Sequence, residues 1–169
     1  VSADTEPRVF PVPWVTEAGV SGFFLIALTL LLWRPDYDPV RRYVSEYAVG
    51  PGGWAMRTAF VLLGLASLNL VPGFLASPRS PGRDGHGGRG RRTGWALAAW
   101  GVSDLVAATF PVDVQGATPT GTGTVHLVAA GVGFVALFAA MGFAVGAFRD
   151  RDGWRDLARP TRWVAITTP

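Results

Sequence analysis

The chain has 169 residues, 49% of them hydrophobic and only 16% charged, with a formal charge of +3. Soluble domains carry about 25% charged residues, so the depletion points to a membrane protein and one helical bundle. Cysteine is absent, which excludes disulfides, thiolate metal sites and cysteine nucleophiles.

The basic side chains other than histidine are all arginine. With abundant Gly, Ala and Pro, this reads as the coding bias of a GC-rich bacterium, and the expected location is the bacterial inner membrane. The arginines flank apolar runs, where membrane topology accounts for them better than a nucleic acid partner does.

Residues 1–13 are polar and interrupted by Pro7, Pro11 and Pro13, which prevents regular structure. An apolar run over 14–33 follows, bounded by Trp14 and Trp33, whose rings favour the membrane interface. Residues 34–53 form a mixed-charge loop in which Asp38 is expected to cap a short interfacial helix running to Glu46. The glycines from Gly50 to Gly53 then turn the chain back. A second helix is expected over 54–76, with Arg57 one turn in and able to snorkel outwards.

Residues 77–93, His86 included, are rich in Gly and Arg and read as a flexible loop. A short third helix over 94–110 ends at Pro111, and a fourth over 124–148 carries many small residues that permit close approach in lipid. Residues 149–162 read as charged and interfacial. Residues 163–169 read as the start of a truncated fifth apolar segment, so the chain is expected to be part of a longer one. The expected fold is therefore an all-α integral membrane bundle of four transmembrane helices.

Arginine bias sets the orientation. The 77–93 loop and the segment after the fourth helix hold ten arginines, so both are expected on the cytoplasmic side with the N-terminus. The loop 34–53 and the stretch from Phe110 to His126 then share the outer face.

Asp104 is the most informative residue. It lies six residues before Phe110, about 9 Å along a helix axis, where an ionisable group is expensive and faces the bundle interior. Arg57 is its expected ion-pair partner, with His126 as the other candidate. Glu46, Asp113 and His126, with Trp54, form a candidate outer-face binding surface. Ser45, Asp104 and His126 are candidate catalytic residues, and Asp104, Asp113 and His126 are candidate ligands for a divalent metal. His126 alone is a candidate axial ligand for haem or chlorophyll.

The stretch from Asp38 to Trp54 (DPVRRYVSEYAVGPGGW), Asp104, the Phe110–Asp113 motif FPVD and the Thr122–His126 motif TGTVH together resemble the uncharacterised integral membrane family called domain of unknown function 998, DUF998. The resemblance spans most of the chain. It implies around six membrane helices in a complete member, and importance for Ser45, Asp104, Asp113 and His126, but no reaction.

Three function classes fit this reading. The first is a non-catalytic accessory or structural subunit of a larger membrane complex, with lipids and other membrane subunits as partners. The second is a small-molecule-binding or lipid-binding, transporter-like protein. The third is a metal-dependent membrane hydrolase with an outer-face Ser/Asp/His site.

Overall fold

The computed structural model describes residues 12–34, 37–76 and 86–149. Its helices are α1 (Pro13–Trp33), α2 (Gly53–Leu75), α3 (His86–Thr109) and α4 (Gly121–Arg149), with a short 3-10 helix, Val44–Ala48, between the first two. Pro13 opens α1, where a missing N–H costs nothing. Gly52, at φ +73°, supplies the left-handed turn from which α2 starts. The helices pack in chain order, α1 on α2, α2 on α3 and α3 on α4.

Three of these helices, α1, α2 and α4, are long and apolar enough to cross a membrane. At 21 residues, α1 extends about 31 Å, which matches the hydrocarbon core. The sequence reading named four such helices, and α3 departs from it. It starts at His86, eight residues before the expected position 94, and so takes Arg89, Arg91 and Arg92 into the helix along with Asp104.

Tertiary packing explains the early start. No proline interrupts residues 86–109, and each glycine there weakens a helix by only about 1 kcal/mol relative to alanine. Thr93, which is buried, donates its hydroxyl to the Arg89 carbonyl at 2.9 Å, while Arg89 and Arg92 lie against α4. Residues 86–93 are thus helix and not loop. Positions 77–85 lie outside the described residues, as do the proline-rich start, most of the charged 149–162 segment and residues 163–169, where the start of a fifth apolar segment is expected.

Helix seams are built on close backbone approach. A Cβ placed on Gly64 of α2 would lie 2.8 Å from the Gly101 carbonyl oxygen of α3, and one on Gly101 would lie 2.8 Å from the Gly64 oxygen. Such close contact lets the two backbones pack directly, which strengthens the dispersion contact between α2 and α3. Asn69 ties α2 to the start of α1: its Nδ2 donates to the Val12 carbonyl at 2.9 Å and to Thr16 Oγ1 at 3.0 Å.

The main apolar cluster sits at one end of the molecule, not at its middle. Leu30, Met56 and Ala59 of α1 and α2 are buried there beneath Tyr37, Tyr47 and Ala48 of the intervening loop. We call this the capped end. The opposite end carries the start of α3 and the end of α4, and with them Arg89, Arg91, Arg92 and Arg149. Exposed Trp33 and Trp54 lie at the capped end, and Trp14 and Trp95 at the arginine end, a spacing suited to two interfacial belts.

Candidate functional site

Loop 37–53 is an ordered lid. Tyr37 and Tyr47 stack with ring centroids 4.3 Å apart, and the guanidinium of Arg42 lies 5.1 Å over Tyr37. Arg34, just past the end of α1, donates to the Val49 carbonyl at 3.0 Å. Asp38 does cap a turn, accepting from Val40 N at 2.9 Å. The helix beyond it starts only at Val44 and is 3-10; Asp38 and Arg41 form a separate turn before it, 3.5 Å apart.

Glu46 joins this lid to the other loop of the same end. It is 1% exposed. Its Oε1 accepts from Tyr43 N and its Oε2 from Gln115 N, both at 3.3 Å, while Arg42 approaches Oε2 at 3.6 Å. The Tyr43 bond is the reach-back half of a capping box. The Gln115 bond crosses to the segment between α3 and α4, so one carboxylate holds both loops.

Asp113 closes the second loop. Its Oδ2 accepts from Thr120 N at 2.8 Å and its Oδ1 from the Thr120 hydroxyl at 2.7 Å. Thr120 Oγ1 in turn accepts from Gly123 N at 3.0 Å, which caps the first turn of α4. These bonds, first from the Thr120 backbone and then from its side chain, hold the Asp113 carboxyl below the usual carboxylate range. The carboxylate occupies the space that a Cβ on Gly123 would need. Glycine at position 123 therefore has a packing reason.

His126 is 2% exposed on α4. Its Nδ1 lies 2.7 Å from the Phe110 carbonyl and 3.3 Å from that of Ala107. Carbonyl oxygens only accept, so Nδ1 is the donor and the ring satisfies the C-terminal turn of α3. Phe60 of α2 meets the ring edge-on at 6.3 Å.

Asp104 is buried at 5% exposure, and its Oδ2 has no hydrogen-bond partner among the described residues. The expected ion pair with Arg57 is absent there. Arg57 is exposed on α2, and Asp104 packs at the level of Gly64. Seven residues of helix, about 10 Å, separate that level from Arg57. Nor does Asp104 Oδ2 bond His126 among the described residues; the imidazole Nδ1 instead meets α3 carbonyls.

Ser45 is half-buried in the 3-10 helix and makes no bond to His126 among the described residues. Trp54 is 75% exposed. With Leu25, Thr29 and Trp33 it lines a cleft of about 390 Å³ between α1 and α2. The sequence-nominated groups thus share one end of the molecule but do not converge. Among the described residues, no three His, Asp or Glu side chains come together in a way that holds a metal.

Several structural partners escaped the sequence reading. Thr120 carried a recognisable signal, a hydroxyl residue just ahead of an apolar run. Asn69 carried another, an amide inside one. Gln115 carried none, because only its backbone is used.

A family model described as "Protein of unknown function (DUF998)" matches residues 18–168. No curated protein and no solved structure matches the chain.

Proposed function

The chain belongs to the DUF998 family, and we propose that it is a small-molecule-binding, transporter-like membrane protein whose ligand-binding group is Asp104. The observation that supports this is that Asp104 Oδ2, at the α2–α3 seam, has no partner among the described residues. Glu46, Asp113 and His126 are spent on holding loops and helix ends. Asp104 is a buried carboxyl with bonding capacity left among the described residues. A buried acceptor without a donor costs about 1 to 3 kcal/mol, and a donor entering the seam recovers it. The ligand class is a small hydrogen-bond donor or cation, because the close α2–α3 approach leaves little room. Burial to 5% also argues against a lateral partner helix as the donor.

The test is thermal unfolding of the full chain in lipid nanodiscs with lithium, sodium, potassium or ammonium chloride at constant ionic strength. A ligand at a hundred times its Kd adds about 2.7 kcal/mol of stability. At least one ion should raise the midpoint, and Asp104→Asn should abolish that rise while leaving the fold intact. Ion-independent midpoints, together with a single fixed water on Oδ2 in an experimental structure, would overturn the reading.

The accessory-subunit reading keeps one supporting observation. Helix α1 packs chiefly on α2 and leaves Phe24, Leu25, Leu28 and Leu32 more than half exposed. A stoichiometric membrane partner in native purification would favour it. The hydrolase reading lacks the convergence of Ser45, His126 and a carboxylate that it requires.

A further inference from the structure

Asp104 does not stand alone at its seam. A Cβ on Gly64 of α2 would lie 3.2 Å from the Asp104 Cβ and 2.8 Å from the Gly101 carbonyl oxygen, so that carbonyl borders the same point. Helix geometry gives the direction of the Asp104 side chain. Each Cα–Cβ bond tilts toward the N-terminus of its own helix, so Asp104 leans toward the arginine end. Helices α2 and α3 run antiparallel, since Gly64 meets Gly101 while Gly94 meets Phe74 and Leu75. The residues that follow Gly64 on α2 therefore lie on the side toward which Asp104 leans.

Ser67 is the polar residue there. It comes one turn after Gly64, three residues on and so beside it on the helix surface, and it is buried at 7% exposure. Its hydroxyl donates to the Leu63 carbonyl at 3.0 Å. A hydroxyl has one proton, so with that proton spent, the Ser67 oxygen offers only lone pairs to the seam. The Gly101 carbonyl and an ionised Asp104 also only accept. Helix α4 adds no donor along the stretch that follows His126, where its buried residues are Ala129, Gly133, Ala136, Ala140, Ala144 and Ala147.

Oxygens that all accept, with no proton among them, are the ligand set of a hard cation. One carboxylate balances one positive charge. Among the described residues no three His, Asp or Glu side chains gather, so a monovalent ion fits and a divalent one does not. Backbones as close as those at Gly64 and Gly101 admit a small ion only. We propose that Asp104 holds sodium and that Ser67 Oγ is its second side-chain ligand. The inference rests on Asp104 being the ligand-binding group, and it narrows the ligand from a small donor or cation to one ion.

The test is thermal unfolding of the full chain in lipid nanodiscs over a series of sodium concentrations, with potassium replacing sodium at constant ionic strength. Sodium should raise the midpoint more than potassium or ammonium does. Ser67→Ala should increase the sodium concentration needed for half of that rise by about tenfold. Ser67→Cys, similar in shape but soft where sodium takes hard oxygen, should do the same. Both variants should match the wild type in potassium alone, since the Ser67 hydroxyl bonds within its own helix. Ser103→Ala is the control: its Cβ faces α4, 3.0 Å from where a Cβ on Gly133 would lie, and the sodium response should not change. A midpoint that no ion moves would remove the Asp104 reading and this inference with it. A sodium response that Asp104→Asn abolishes and Ser67→Ala leaves intact would keep the Asp104 reading and overturn this inference alone. A larger rise with potassium or ammonium than with sodium would overturn it too, as would an equal loss in Ser103→Ala. So would a Ser67→Ala protein weakened as much in potassium as in sodium, because the hydroxyl would then be a structural donor.

Discussion

Replacing Glu46 should open the capped end locally while leaving the helix seams closed. Two backbone donors, Tyr43 N and Gln115 N, each lose their carboxylate acceptor in Glu46→Ala. Hydrogen bonds to charged groups contribute about 1.5 to 3 kcal/mol. Both bonds here are 3.3 Å long, so the lower figure applies and the loss is about 3 kcal/mol. The contact to Arg42 adds little, since that side chain is 39% exposed. Glu46→Gln retains one acceptor and turns an N–H₂ group towards the other donor, so it should cost about half as much. The assay is amide hydrogen exchange of the protein in nanodiscs. The Gln115 amide should exchange about 150-fold faster in Glu46→Ala and about 10-fold faster in Glu46→Gln, by the usual conversion of free energy to populations. The Gly101 amide, at the α2–α3 seam, is the internal control and should not change. If Gln115 exchange rises by less than threefold in Glu46→Ala, the carboxylate is not what joins the two loops.

The Asp113 clasp should fail in acid. Its folded-state pKa is lowered, so its contribution is fully present above the unfolded value of about 3.9 and is lost as pH falls through the folded pKa below that. The Thr120 amide, corrected for intrinsic exchange, should stay protected down to about pH 4 and open below it, and Asp113→Asn should remove that pH dependence. Gly123→Ala should displace the Asp113 carboxylate and destabilise by about 1 to 3 kcal/mol, read as a lower unfolding midpoint and early exchange at Thr120. Gly64→Ala should cost a similar amount, because the new Cβ meets the Gly101 carbonyl at 2.8 Å. That overpacking outweighs the gain of about 1 kcal/mol in helix propensity, and a variant as stable as the wild type would show that α2 and α3 are not in backbone contact. Finally, cysteine placed at Gly88 should label only from the cytoplasmic side and cysteine at Thr118 only from outside. Labelling of Gly88→Cys from outside intact cells would invert the orientation drawn from arginine bias.

Apolar runs and their boundaries were written locally in the chain. Trp14 to Trp33, Trp54 to about Ala76 and the run through Phe148 carry their few ionisable groups, Glu17 and Arg57 among them, close to one end, and apolarity sustained over a bilayer's thickness needs no tertiary information. The two polar stretches at one end followed from the same count, since helices of that length return the chain to alternate faces. The burial of Asp104 was also legible, because an ionisable group at that depth has nowhere else to go. Tertiary structure decided the rest. Helicity from His86 to Thr93 depends on α4 lying where Arg89 and Arg92 can rest on Gly146 and Phe143, which no local propensity encodes in a Gly/Arg tract. Glu46, Asp113 and His126 are reactive residue types at suggestive positions, yet each is committed to a backbone partner on another segment or to a helix end. A sequence names the donors and acceptors it contains, but which of them are already spent depends on distances across segments. Here those distances leave Asp104 Oδ2 open among the described residues and Glu46, Asp113 and His126 occupied.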